Sequence, residues 1–274
     1  MRTGFKDLDN IIKLKEGELV VIASRPAMGK TTFALNILSY NSLKENKSTL
    51  LFSLEESKET IIKKLIISNS MVEADKFRLY EEYKNENKDE KDIDLSEEDW
   101  DRIAYGITLL KNANIFISDT VPYTIEDICQ KSRELKLKEN IELIIIDYLQ
   151  LIQFDKKELL SRDDETTEIL RRLGTLAKEL NITIIVTSQL SKKAELKENK
   201  RPLISDFVES EYGISIYSSK ILFLYRDSYY NKNNKSDITE VIIAKNNDGD
   251  IKTIKVAWMP EYCMFGNVLV FDDK

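Results

Sequence analysis

The chain has 274 residues, 42% of them hydrophobic and 32% charged, and a net charge of −7. That length admits one large α/β domain or two small ones, and the composition supports a sizeable core under a solvated surface. No apolar run approaches the roughly 20 residues that span a bilayer, and residues 1–7 lack an apolar signal stretch, so a cytoplasmic protein without membrane contact is expected.

Short apolar runs alternate with longer amphipathic stretches, as a parallel sheet flanked by helices requires. Buried strands are predicted at 19–23, 50–54, 115–118, 143–147 and 183–187. Helices are predicted between them at 31–46, 58–70, 97–112, 125–140 and 166–180. The acidic stretch 81–95 reads as a surface insertion, and Ser96 with Asp99 forms a capping signal for the helix that follows. Further strands at 221–225, 240–244, 254–257 and 268–271, separated by polar turns, predict a meander at the sheet edge. With only 4 Pro and 8 Gly and no low-complexity linker, residues 1–274 read as one domain.

Histidine is absent, which excludes His-based zinc sites and Ser-His-Asp or Cys-His catalysis. Cys129 and Cys263 fit no metal or disulfide spacing and read as ordinary thiols of a reducing compartment. Chemistry is left to carboxylates, Lys, Arg, amides, hydroxyls or a bound metal. The acidic balance argues against a uniformly basic nucleic-acid binder but leaves room for local positive charge.

The first strand runs into Ser24-Arg25-Pro26-Ala27-Met28-Gly29-Lys30-Thr31-Thr32 and then a helix. A phosphate-binding loop needs curled backbone N–H groups, a helix N-terminus, a lysine and a hydroxyl for Mg²⁺. Gly29 permits close approach, Lys30 reaches the β- and γ-phosphates, and Thr31 supplies the hydroxyl. Ser24 departs from the general pattern, which has glycine there.

Strand 143–147 ends in Asp147, placed to hold Mg²⁺ directly or through water. Strand 50–54 runs into Glu55 and Glu56. Glu55 is the candidate base for attacking water, with a plain surface role the open alternative, and Glu56 reads as solvent-facing. Gln189, ending the strand at 183–187, can contact a γ-phosphate and report its loss to the next loop. That loop carries Lys192, Lys193, Lys197, Lys200 and Arg201, interrupted by Glu195 and Glu198, and reads equally as solvated or phosphate-contacting.

Taken together these residues resemble the C-terminal motor domain of DnaB-type replicative DNA helicases. The likeness runs through Thr3-Gly4-Phe5-Lys6-Asp7-Leu8-Asp9, the phosphate loop, Phe52-Ser53-Leu54-Glu55 and Ile146-Asp147-Tyr148-Leu149-Gln150-Leu151. It continues in Leu176-Ala177-Lys178-Glu179-Leu180, Ser188-Gln189-Leu190-Ser191 and Arg201-Pro202-Leu203-Ile204-Ser205-Asp206. It ends in Leu224-Tyr225-Arg226-Asp227 and Ile243-Ala244-Lys245-Asn246. The resemblance implies a RecA-like P-loop NTPase fold and an ATP hydrolase using ATP and Mg²⁺. It implies a hexameric ring on single-stranded DNA, with a helicase loader or primase as partner. It also adds Arg226 to the nucleotide-binding set and Lys245 to the catalytic set beside Lys30, Glu55 and Gln189.

Three departures from the family pattern motivate an alternative, a degenerate nucleotide-binding relative with a regulatory or assembly role and weak turnover. The family's arginine finger corresponds to Asn247, leaving Lys245 as the nearby cation without a bidentate fork. A DNA-facing arginine has become Val208 and a glycine Glu211, while Ser215-Ile216-Tyr217-Ser218-Ser219 replaces an acidic stretch. The family's N-terminal helical domain and most of its docking linker helix have no counterpart here, as expected of a trimmed chain or a naturally short relative.

Overall fold

The computed structural model describes residues 1–78, 95–120, 123–154, 161–231 and 233–268. Nine strands form one sheet: β1 (Leu19–Ser24), β2 (Thr49–Ser53), β3 (Ile115–Ser118), β4 (Leu143–Asp147), β5 (Thr183–Gln189), β6 (Lys220–Tyr225), β7 (Ile238–Asn246), β8 (Thr253–Met259) and β9 (Met264–Asn267). Their order is β3-β2-β4-β5-β1-β6-β7-β8-β9. Pairing is parallel from β3 to β6 and antiparallel from β6 to β9. The expected parallel sheet with an edge meander is therefore present. Its last strand, however, lies just ahead of the predicted 268–271, most of which falls outside the described residues.

The helices are α1 (Lys6–Asp9), α2 (Lys30–Leu43), α3 (Lys58–Ser70), α4 (Glu97–Lys111), α5 (Ile125–Glu139), α6 (Arg162–Leu180), α7 (Glu211–Tyr217) and α8 (Asp227–Tyr230). Side chains alternate across a strand, so β1 sends Leu19, Val21 and Ala23 to one face and Val20 and Ile22 to the other. The first face packs on α5, α6 and α7 through Ile128, Leu173 and Ile214. The second packs on α1, α2 and α3 through Leu8, Ile37 and Leu65. Helices on both faces explain why the central strands are continuous apolar runs. Among the described residues no helix is long and apolar enough to cross a membrane.

Helix starts follow local chemistry. Ser96 and Asp99 form the predicted reciprocal cap of α4, and Lys76 together with the Ser96 backbone holds the Asp99 carboxyl down to about 2. The acidic insertion itself lies almost wholly outside the described residues. Helix α6 starts at Arg162, four residues before the predicted 166, because Ser161 and Asp164 make the same reciprocal cap.

Lys220, at the start of β6, is fully buried and donates to Glu18 at 2.6 Å and to Asp248 at 2.9 Å. Lys15 bonds Asp248 from the other side, and the two cations depress its carboxyl to about 2. Lys220→Ala leaves two carboxylates without their buried cation and should destabilise the fold by about 3 kcal/mol, read as a lower urea midpoint. Because Asp248 is depressed from 3.8, its contribution is complete above that value and fades as pH falls toward 2. An unchanged midpoint in Lys220→Ala would show that this anchor contributes nothing.

Candidate nucleotide site

The strand order brings the predicted residues to one edge. From β1 the chain crosses over β5 and β4 to reach β2, so the carboxyl ends of β2, β4, β5 and β1 stand side by side. In register, Ser53 pairs with Asp147 and Ser24 with Gln189. Ligands of open α/β sheets bind in the crevice outside such strand ends.

Between β1 and α2 the loop turns through Ala27 at φ 61° and Gly29 at φ 88°. Successive left-handed turns curl N–H groups toward one point, ahead of a 14-residue helix whose N-terminal dipole favours anions. A Cβ on Gly29 would stand 2.8 Å from the Phe265 ring and 3.1 Å from Trp258, so both backbone angle and space demand glycine. Met28 is buried in the core and pins the loop, while Pro26 and Ala27 are exposed. Ser24 is buried and bonds the Arg25 carbonyl at 2.9 Å, so the position needs no glycine.

Thr31 Oγ1 donates to Asp147 Oδ2 at 2.6 Å, and Thr187 Oγ1 donates to Asp147 Oδ1. Asp147 is 2% exposed, and both its oxygens are thereby held. Lys30 Nζ lies 4.8 Å from the centre of the Tyr148 ring. Burial first, then the nearby charges of Glu55 and Asp147, raises the Tyr148 pKa. Glu55 thus stands close to the same ring as Lys30. It is exposed and hydrogen-bonds nothing among the described residues, whereas Glu56 is bound to Lys64. Thr32 is buried in the first turn of α2.

Gln189 is the last residue of β5 rather than part of the loop beyond it. Its backbone N–H and carbonyl are both bonded by the Gln150 amide, at 3.2 and 3.3 Å. Gln150, Tyr148 and Thr187 were not singled out by spacing, although the first two lie within the quoted Asp147 motif.

Arg226, just past β6, donates from NH2 to the Ala27 carbonyl at 2.9 Å and lies 5.0 Å from the Trp258 ring centre. It is 8% exposed, its NH1 has no partner among the described residues, and burial lowers its pKa. An orphaned guanidinium nitrogen beside the loop is chemistry suited to an anionic or polar ligand. Trp258 was missed because it lies over 200 positions from the loop in sequence and gives no local signal.

Two predicted cations have other work. Arg25 bonds Glu195 and the Leu190 carbonyl, so its side chain is engaged away from the loop's concavity. Lys245 donates to the carbonyls of Ser215 and Ser218, each at 2.6 Å, capping α7, and burial lowers its pKa. The expectation of a free cation at Lys245 is corrected accordingly: α7, unforeseen in the sequence, consumes its ammonium. Asn247 is exposed at the β7–β8 turn.

Thr31 and Asp147 present a hydroxyl and a carboxylate close enough to share one cation, which fits Mg²⁺. Among the described residues no group of three or more His, Cys, Asp or Glu could hold a metal. That too fits Mg²⁺, which takes few protein ligands and completes its shell with phosphates and water.

The model of the DnaB-like helicase C terminal domain matches residues 1–267. The chain belongs to that family. It is 37% identical over 268 residues to the replicative DNA helicase DnaB of Geobacillus stearothermophilus, covering 97% of this chain and 56% of that protein. It is 36% identical to the replicative DNA helicase DnaC of Bacillus subtilis (strain 168), covering 99% and 57%. The chain therefore spans little more than half the length of these relatives. One solved structure, of an isolated ATPase domain, superposes with a TM-score of 0.88 at 36% identity, covering 97% of this chain and 90% of that one. A DnaB-like replicative helicase, solved in work on its interactions with primase, gives 0.88 and 36%, covering 97% and 61%.

The DnaB-like assignment accounts for the ordered motifs from Thr3 to Asn246. Within it, the basic stretch after Gln189 is largely neutralised: Lys197 binds Asp206 and Arg201 binds Glu240. Lys200 lies over Tyr230, whereas Lys192 and Lys193 are exposed. Val208 is exposed, and neighbouring Glu209 is bonded by Arg162 and Thr166.

Proposed function

We propose that this chain is an ATP-hydrolysing helicase motor that couples ATP-Mg²⁺ turnover to movement along single-stranded DNA. The observation that carries the reading is the 2.6 Å Thr31–Asp147 contact beneath the Gly29-Lys30 loop. Lys30 and the first N–H groups of α2 neutralise phosphate oxygens. Thr31 and Asp147 hold Mg²⁺, Asp147 directly or through a water. When bound, ATP-Mg²⁺ supplies the transferable phosphoryl group and the charge that polarises it. Glu55 orients attacking water and takes its proton, and Gln189 senses the γ-phosphate. Arg226 braces the loop through Ala27 and offers its remaining donor to the nucleotide.

Family membership supports assembly into a hexameric ring, with nucleotide between subunits and DNA in the channel. It likewise supports contact with a helicase loader or primase. The exposed Lys192 and Lys193 are the cations of the 190–201 segment best placed for a DNA backbone.

Lys30→Ala tests the nucleotide site. Losing the cation opposite the phosphates should weaken ATP-Mg²⁺ binding by about 30-fold or more while the thermal transition stays in place. Isothermal titration giving wild-type affinity would overturn the site assignment.

A further inference from the structure

We propose that Arg25 is a positioning residue that fastens the segment 190–207 to the phosphate loop and passes nucleotide occupancy to it. The proposal rests on the nucleotide reading above. Arg25 stands inside the loop motif, yet its side chain turns toward the chain beyond β5. NH1 donates to the Leu190 carbonyl at 2.6 Å, and Nε donates to Glu195 Oε1 at 2.8 Å. The residue is 9% exposed, so this fork is made largely out of water. Leu190 also donates its N–H to the Ser24 carbonyl at 3.0 Å. Both backbone polar groups of Leu190 are thus held by the two residues at the root of the phosphate loop.

What Arg25 grips is itself a closed unit. Leu190 pairs antiparallel with Phe207, and Ser191 donates to the Asp206 carbonyl at 2.9 Å. Asp206 is 2% exposed, accepts from the Leu203 N–H at 2.8 Å and is bonded by Lys197. Ala194, one residue before Glu195, is fully buried. A displacement at Leu190 or Glu195 therefore moves the whole unit, including exposed Lys192 and Lys193, and reaches exposed Val208 next to Phe207. A ligand shifts such an element only as far as it favours one arrangement of it. Here the means is direct, because phosphate bound on residues 26–31 bears on the neighbours of Arg25.

The pair also has an electrostatic consequence. Without Arg25, the Glu195 carboxylate remains near an anion-binding loop with no counter-ion. Arg25→Gln should therefore lower ATP affinity. Glu195→Gln frees a cation at the same place and should leave affinity equal or higher. Both changes cut the fastening.

Hydrogen exchange with a non-hydrolysable ATP analogue and Mg²⁺ reads the two effects separately. In the unmodified chain the analogue should slow exchange at residues 26–31 and, by about fivefold or more, across 190–207. In Glu195→Gln, protection at 26–31 should persist while the response across 190–207 is lost. The double variant should recover affinity relative to Arg25→Gln without recovering that response. A purely structural role for the pair would lower affinity and thermal stability together in both single variants. A wild-type response across 190–207 in Glu195→Gln overturns the proposal, as does an unmodified chain protected at 26–31 alone. An unmodified chain with no protection at 26–31 overturns the nucleotide reading, and the proposal with it.

Discussion

Glu55→Gln should keep ATP-Mg²⁺ binding and slow hydrolysis by about 10²-fold or more, a barrier increase near 2.7 kcal/mol. The amide is almost the same shape as the carboxylate but cannot accept the proton of attacking water. Glu55 suits the role through its freedom, since it is exposed and hydrogen-bonds no described residue. Its charge is felt at Tyr148, whose ring also faces Lys30. Glu56 is the internal control, because its carboxylate is already bonded by Lys64 at 2.6 Å. Glu56→Gln should alter turnover little. Phosphate release and nucleotide affinity must be measured on the same preparations, since a variant that no longer binds ATP is uninformative about the base. Unchanged turnover in Glu55→Gln would remove this residue from the mechanism.

What could be read in the sequence was whatever is local in the chain. The phosphate loop, its lysine and its threonine are consecutive, and Asp147 closes an apolar run, so each declares itself without its neighbours. The sheet's meander was legible for the same reason, because β6 to β9 pair in chain order. The order β2-β4-β5-β1 was not, since crossovers decide it, and Thr187 and Tyr148 become site residues only through that order. Helix α6 was started four residues late although Ser161-Arg162-Asp163-Asp164 carries the same cap as Ser96 with Asp99. Its first buried residue, Thr166, lies a full turn inside the helix, and apolar periodicity alone sees only from there. Helix α7, seven residues with Gly213 in the middle, is too short for periodicity to detect. Missing it concealed the carbonyls that bind Lys245, just as missing the fold of 190–207 concealed the partners of Arg25. A basic residue is visible in sequence; whether its charge is free is settled by packing.

That distinction governs the expected weakness of this motor. At the β7–β8 turn the family's finger position is Asn247, whose side chain carries no charge. Lys245 would have to abandon two carbonyls at 2.6 Å to reach a neighbour's nucleotide. Charge developing on a transferred phosphoryl group needs positioned cations, and an arginine finger contributes about 10³–10⁵ in rate. The unmodified chain should therefore bind ATP-Mg²⁺ well and hydrolyse it slowly, with little stimulation by single-stranded DNA. The turn itself is firmly held, since Asp248 is bonded by Lys15 and Lys220 and the Asn247 N–H donates to the Ser219 carbonyl at 3.1 Å. An arginine placed on this fixed, exposed tip replaces no packed side chain. Asn247→Arg should raise turnover at least about tenfold, a modest part of a full finger's effect. The gain should emerge only at protein concentrations where subunits associate, because the tip serves a neighbour's nucleotide. Steady-state phosphate release across protein concentration, for both forms and with or without DNA, measures this. Fast, DNA-stimulated turnover by the unmodified chain would sink the idea and require another cation in trans. No gain from Asn247→Arg at any concentration would mean that this tip does not face a neighbour's phosphates.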